Sequence, residues 1–153
     1  VYKRQPYLTV DEVLAQADVL SLHVPLLPAT KHMINSDAIT KLKPGCTVLN
    51  VSRGGLVDTD AIIDGLQSGQ ISFYGSDVYE FEGPYFFDDH SGAPMADELL
   101  ARLIAQPNVQ LTGHQAFLTK EAVGQIVGTT VKNLSQFLEG AELTNEVKPP
   151  PSA

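Results

Sequence analysis

Thr47-Val48-Leu49-Asn50-Val51-Ser52-Arg53-Gly54-Gly55 is a short apolar run that stops on an arginine and two glycines. Its length and its bulky aliphatic residues are those of a buried strand. Beyond it Asp58 caps a helix carrying Ala61, Ile62, Ile63 and Leu66, closed by Ser68-Gly69, and Ile71 to Val78 supplies the next strand. Strand, helix, strand in this order is a βαβ unit. The same alternation runs backward from Thr47. Thr9-Val10-Asp11-Glu12 has capping-box form and opens a short helix to about Ala17. Asp18 to His23 reads as a buried strand stopped by Val24-Pro25, and Asn35-Ser36-Asp37 caps a short helix that ends before Lys43-Pro44-Gly45. The expectation is an α/β fold built on a parallel sheet.

Downstream, the pattern changes. Glu80 to Ala96 is rich in aromatic, acidic, Gly and Pro residues and reads as a long surface excursion. A helix is expected from about Asp97 to Ala105, then a last strand from Val109 to Thr112. From Thr119, Val123, Val127, Val131, Leu134 and Leu138 recur at helical spacing up to Gly140, with Gly124 and Gly128 as close-packing positions. The end, Pro149-Pro150-Pro151-Ser152-Ala153, reads as a loose tail.

Composition narrows the function classes. A chain of 153 residues suits one domain with a sizeable core. Ten Lys and Arg against 18 Asp and Glu give a formal charge of −8, with no basic stretch to neutralise phosphates, so no nucleic-acid partner is expected. An anionic metabolite remains possible if a local cation receives it, and Arg53 is the candidate. The single cysteine, Cys46, excludes an intramolecular disulfide and fits a reducing, cytoplasmic setting, and it reads as a small buried residue. The longest apolar candidate, Val19 to Leu27, is broken by Ser21, His23 and Pro25, so no membrane span is expected, and no signal peptide is visible. Val1 to Gln5 lacks an initiating Met and leads straight into a helix signal. Those five residues are read as a possible non-native scar on a chain that continues upstream.

Three strand ends carry the chemistry. Carboxyl ends of strands are where ligands bind in open α/β sheets. Arg53 ends one, Glu82 follows Asp77-Val78-Tyr79-Glu80-Phe81, and His114 lies in Thr112-Gly113-His114-Gln115-Ala116-Phe117. Flanking glycines let backbone approach a ligand, and a guanidinium matches a carboxylate with two parallel hydrogen bonds. A carboxylate beside an imidazole favours the protonated ring, which suits a proton donor near neutral pH. Each residue also has a plainer reading: a packed histidine, a surface ion pair, a solvated acidic loop. For Glu80, Asp88 and Asp89 the solvated loop is the expectation, and His23, His32 and His90 are expected to be structural or incidental. No Cys-x-x-Cys, His-Glu-x-x-His, Gly-x-Ser-x-Gly or Walker turn occurs, so no metal site, hydrolase nucleophile or nucleotide P-loop is expected.

Taken jointly, four stretches resemble the D-isomer-specific 2-hydroxyacid dehydrogenases, and within them the bacterial fermentative D-lactate dehydrogenases. They are Ala17 through Pro25, Asn50 through Asp58, Gly75-Ser76-Asp77-Val78-Tyr79-Glu80, and Thr112 through Leu118, in the right order and spacing. Gly-His-Gln-Ala-Phe, where many relatives have Pro-His, points to the lactate dehydrogenase branch. The resemblance implies that Arg53 holds the substrate carboxylate, that His114 is the acid/base, and that Glu82 is its paired carboxylate. It implies that Val24, Pro25, Thr30, Val51, Ser52, Arg53 and Asp77 line an NAD site, with Asp77 near the carboxamide. It further implies a small 2-oxo or 2-hydroxy acid partner and a homodimer or higher homo-oligomer when complete.

One departure matters. The family's Gly-x-Gly-x-x-Gly turn and ribose-reading acid precede the Ala-Asp-Val-Leu segment, and this sequence holds neither. The chain is thus read as the C-terminal half of a Rossmann-like dinucleotide-binding domain. Residues 6–117 form the partial NAD-binding domain, 118–140 a long helix that in the family packs on the substrate domain, and 141–153 a tail. The function expected is NADH-dependent reduction of pyruvate to D-lactate, negligible in the isolated 153 residues. Alternatives are an NADH-sensing dimeric scaffold of the co-repressor type, or a dehydrogenase for a bulkier 2-oxo acid.

Overall fold

Four parallel strands lie in the order β1-β2-β3-β4, so each crossover advances the chain by one strand. They are β1 (Val19–Leu22), β2 (Cys46–Asn50), β3 (Ile71–Ser76) and β4 (Val109–Leu111). Leu20 faces Val48, Val48 faces Tyr74, and Tyr74 faces Val109 across the ladder. The computed structural model describes residues 6–92 and 94–148. The scar reading of residues 1–5 and the proline tail at 149–153 fall outside them. Residues 6–115 and 116–148 form two compact units.

Helices arise where the caps predict. Thr9 opens α1 (Val10–Gln16) with a reciprocal capping box, Glu12 N donating to Thr9 Oγ1 at 3.3 Å and Thr9 N to Glu12 Oε2 at 2.7 Å. Asn35, Asp58 and Asp97 accept from the amides of Ala38, Ala61 and Leu100, opening α2 (Ser36–Thr40), α3 (Thr59–Ser68) and α5 (Glu98–Ile104). Gly69, at φ 79°, ends α3 in the left-handed conformation that glycine adopts without penalty.

The core sits between the sheet and α3. Val48, Ile62, Ile63 and Ile71 are fully buried, each contributing roughly 1.5–3 kcal/mol through removal from water. Gly65 lets α3 approach the sheet, since a Cβ there would come within 2.9 Å of Ile71 Cδ1. Cys46 is buried and free as expected, and burial pushes its thiol above the ordinary range.

Three expectations are corrected. β3 ends at Ser76 rather than Val78, because the Ser76 hydroxyl turns back on the carbonyls of Asn50 (3.0 Å) and Val78 (2.7 Å) and bends the chain out of the ladder. The Glu80–Ala96 excursion contains a short helix, α4 (Gly83–Phe86), with Pro84 in its first turn, where its missing N–H costs nothing. Gly124 and Gly128 lie in α6 (Lys120–Leu138), opened by Thr119, but a Cβ at either would meet nothing within 4 Å among the described residues. Close packing at those glycines is not seen. α6 instead carries exposed Ile126, Val127, Val131 and Leu134. No helix among the described residues is long and apolar enough to cross a membrane.

Candidate active site

Each strand leaves one candidate segment at the carboxyl end of the sheet. After β1 comes the 23–30 loop, after β2 the Arg53 turn, after β3 the 77–82 segment, and after β4 the His114 turn. Backbone bonds bind the last three together: Asp77 N donates to Asn50 O at 3.0 Å and His114 N to Asp77 O at 2.7 Å.

His114 has φ 52°, a left-handed conformation rare for a residue with a side chain. That turn swings the imidazole toward the 77–82 segment, where Nδ1 lies 2.7 Å from Glu82 Oε1. A carboxylate only accepts, so Nδ1 carries the hydrogen and Nε2 points away. Nε2 has no protein partner among the described residues. The pair is partly buried, 32% of the His114 side chain and 19% of the Glu82 side chain being exposed, so the attraction is only partly screened. Glu82 is itself held, its Oε2 accepting from Tyr79 N at 2.9 Å. Phe87 packs obliquely on the imidazole with ring centroids 6.2 Å apart.

Asp77 is 5% exposed, and its carboxylate turns inward to the His114 turn. Oδ1 accepts from the Thr112 hydroxyl and, at 3.0 Å, from Gln115 N, so the carboxylate braces both flanks of His114.

Arg53 is exposed, and its Nη1 donates to Ser52 O at 2.7 Å. No carboxylate pairs with it among the described residues. The turn below it is braced by Asn50, fully buried, whose Nδ2 donates to Arg53 O (3.0 Å) while its Oδ1 accepts from Ser52 N (3.2 Å). Ser52 Oγ donates to Val24 O at 2.7 Å and ties this turn to the loop after β1. In that loop Thr30 Oγ1 donates to Pro25 O (2.7 Å) and accepts from Leu27 N (2.8 Å). The structure therefore brings Val24, Pro25, Ser52 and Arg53 around one open cleft of about 650 Å³, also lined by His23 and Leu26. Thr30 shapes its wall through hydrogen bonds rather than lining it.

One residue behaves otherwise than the sequence implied. Glu80 is not a solvated loop acid. Its side chain is 9% exposed, Oε2 lies 2.8 Å from His32 Nε2, and Oε1 accepts from Thr59 Oγ1 at 2.8 Å. His32, at φ 49°, is the other left-handed non-glycine residue among those described, and it too is paired with a carboxylate. Asn50, Thr112 and the Glu80–His32 pair escaped sequence reasoning because their partners are distant in the chain. For Asn50 a signal existed, a polar amide at the end of an otherwise apolar strand.

An NAD nicotinamide fits these residues in part. Val24, Pro25 and Leu26 offer an apolar wall for a planar ring in the cleft that Arg53 also lines, while Val51, exposed at the end of β2, is not among the lining residues. The phosphate-binding glycine turn is not in this sequence, so the fit is to the nicotinamide end. Among the described residues, no group of three His, Cys, Asp or Glu is placed to hold a metal ion.

The fold is a parallel α/β sheet that carries, past the carboxyl ends of its strands, a carboxylate-backed imidazole and a guanidinium with no carboxylate partner among the described residues. The chain belongs to the D-isomer specific 2-hydroxyacid dehydrogenase family, whose NAD binding domain model matches residues 2–116, and its cofactor is NAD. It is 49% identical over 140 residues to the D-lactate dehydrogenase of Lactobacillus delbrueckii subsp. bulgaricus, covering 92% of this chain and 42% of that protein. The structure of the pyruvate reductase of Chlamydomonas reinhardtii superposes with a TM-score of 0.84 at 44% identity, covering 92% of this chain and 43% of that one. The NAD-complexed D-isomer specific 2-hydroxyacid dehydrogenase from L. delbrueckii ssp. bulgaricus superposes at 0.83 with 34% identity, covering 93% and 43%. The chain thus spans about two fifths of the length of the relatives it matches.

Proposed function

We propose that the protein carrying this chain is an NAD-dependent D-2-hydroxyacid dehydrogenase that reduces pyruvate to D-lactate. The observation that carries the reading is the His114–Glu82 pair, Nδ1 held at 2.7 Å and Nε2 without a protein partner among the described residues, at the same carboxyl end of the sheet as the Arg53 turn. Arg53 receives the substrate carboxylate through its planar fork and so orients the 2-oxo group. Bound NADH supplies the hydride to the carbonyl carbon. His114 Nε2 gives its proton to the carbonyl oxygen in the same event and takes it back when the hydroxy acid is oxidised. Glu82, through its bond to Nδ1, fixes the ring orientation that presents Nε2 to the carbonyl oxygen. Val24, Pro25, Thr30, Val51, Ser52 and Asp77 are assigned to the nicotinamide wall, directly or by shaping it.

The partial cofactor domain is assigned to residues 6–117 and a substrate-domain-facing helix to 118–140, supported by the exposed apolar stripe on α6. Buried Cys46 supports a cytoplasmic setting. The 153 residues alone are expected to turn over negligibly, since no phosphate-binding glycine turn is among them.

NADH oxidation by the full-length natural protein with pyruvate tests the proposal. D-lactate should form. Arg53→Gln should chiefly raise KM for pyruvate, and His114→Gln should abolish turnover while NADH still binds. Tight NADH binding without turnover of any 2-oxo acid would sink the enzyme reading and favour an NADH-sensing scaffold. Preference for a bulkier 2-oxo acid would correct the substrate alone.

A further inference from the structure

The second imidazole–carboxylate pair encloses the turn that presents Arg53. Gly54 lies against the backbone of Tyr79 and Glu80 so closely that a Cβ would overlap Tyr79 C, Tyr79 O and Glu80 N. On the other side of the turn His32 N donates to Gly55 O at 2.8 Å, and Leu26 packs where a Gly55 Cβ would point, 3.1 Å away. The Glu80 side chain then closes the ring. Its Oε2 meets His32 Nε2 at 2.8 Å, and its Oε1 takes the Thr59 hydroxyl at 2.8 Å at the amino end of α3. Residues 53–55 thus sit inside a loop of contacts running His32, Gly55, Gly54, Glu80 and back to His32.

Glu80 is two residues from Glu82, so segment 79–82 supplies one carboxylate to His114 and another to His32. The left-handed backbone of His32 brings its ring to Glu80 while its own N–H stays on Gly55. The geometry points to the His32–Glu80 pair as a positioning clamp for the dehydrogenase reaction. It sets the distance between the Arg53 guanidinium and the His114 imidazole. This rests on the functional reading above, because the two ends of the clamp matter only if one substrate spans them. Neither His32 nor Glu80 touches that substrate; they act through the Arg53 turn and segment 79–82.

Kinetics and backbone amide exchange on the full-length protein test it together. Glu80→Ala should lower kcat/KM for pyruvate about 100-fold, the scale of a misplacement of about 1 Å, while KM for NADH moves less than about twofold. Exchange of the His32 amide should accelerate while β2 and β3 stay protected. Glu80→Gln keeps an acceptor for Thr59 and an N–H for neutral His32, so it should recover activity to within about tenfold of the unaltered protein. His32→Asn tolerates the left-handed backbone but is too short to reach Glu80. It should reproduce Glu80→Ala, and the double variant should be little worse than either single one. If Glu80→Ala fails to fold, His32→Asn and Glu80→Gln carry the comparison.

Full kcat/KM in His32→Asn would overturn the clamp, as would faster His32 exchange with unchanged kinetics, which marks a merely structural pair. Independent, additive losses from the two substitutions would overturn it too. An unaltered protein that reduces no 2-oxo acid would overturn the dehydrogenase reading and the positioning role with it. The amide exchange would then show separately whether the pair holds residues 53–55.

Discussion

Gly54→Ala is the sharpest perturbation available at this site. The added methyl has nowhere to go, because all three of its neighbours are main-chain atoms of Tyr79 and Glu80, each closer than 3.0 Å. Main chain cannot rotate aside as a side chain does, so residues 53–55 and 79–80 must part by about 1 Å. Overpacking of a well-packed interior typically costs about 1–3 kcal/mol, and the main-chain identity of these neighbours puts Gly54→Ala at about 3 kcal/mol. The same movement shifts the Arg53 turn against segment 79–82, which holds His114 through Glu82, and under the proposed function about a 100-fold loss in kcat/KM is expected. Gly55→Ala is the matched control. Its methyl meets only the far end of Leu26, nearest at 3.1 Å, and that side chain can yield. Denaturant unfolding and steady-state kinetics on both variants measure the two effects. A Gly54→Ala protein within about 1 kcal/mol of the unaltered one, or no worse than Gly55→Ala, would refute the packing argument.

Cys46 is 1% exposed, and burial raises its thiol above the ordinary range, so a thiol reagent near neutral pH should leave it unmodified until the protein unfolds. Prompt labelling of the native protein would contradict its place in the core. Tyr79 and Tyr74 are both held well above the ordinary tyrosine range, first by burial and, for Tyr79, next by the hydrogen bond to Asp97. The folded state therefore keeps its phenol protons where the unfolded chain gives them up. Stability should be intact below the ordinary tyrosine pKa of about 10 and fall above it by up to about 1.4 kcal/mol per pH unit for each ring. Tyr79→Phe should make that alkaline decline shallower, and an equally steep decline would mean that Tyr79 does not contribute.

What could be read in the sequence was local or periodic. Thr9, Asn35 and Asp58 announce helices because a cap acts on amides two or three residues away. The βαβ alternation is equally plain, since apolar runs bounded by caps and glycines leave few other folds. Arg53, Glu82 and His114 could be nominated because each follows a strand, and the structure brings Glu82 and His114 into contact. Glu80 was misread for a physical reason. An acid among Tyr, Phe and another Glu looks solvated until its partner, 48 residues earlier, is known. The left-handed His32 and His114 were equally hidden, since backbone strain at a histidine leaves no mark in composition. α4 hid behind Gly83-Pro84, which signals a break as readily as a first turn.

The parallel direction of all four strands also sorts the two rims of the sheet. All the residues around the cleft and the acid–base pair hang from one rim. The turns entering β2, β3 and β4 leave Pro44, Gly45, Gly69 and Pro107 exposed at the other. A fluorophore or surface tether attached at those turns reports from the far side of the sheet and leaves the rim that carries the cleft free, so the molecule comes with its own handle.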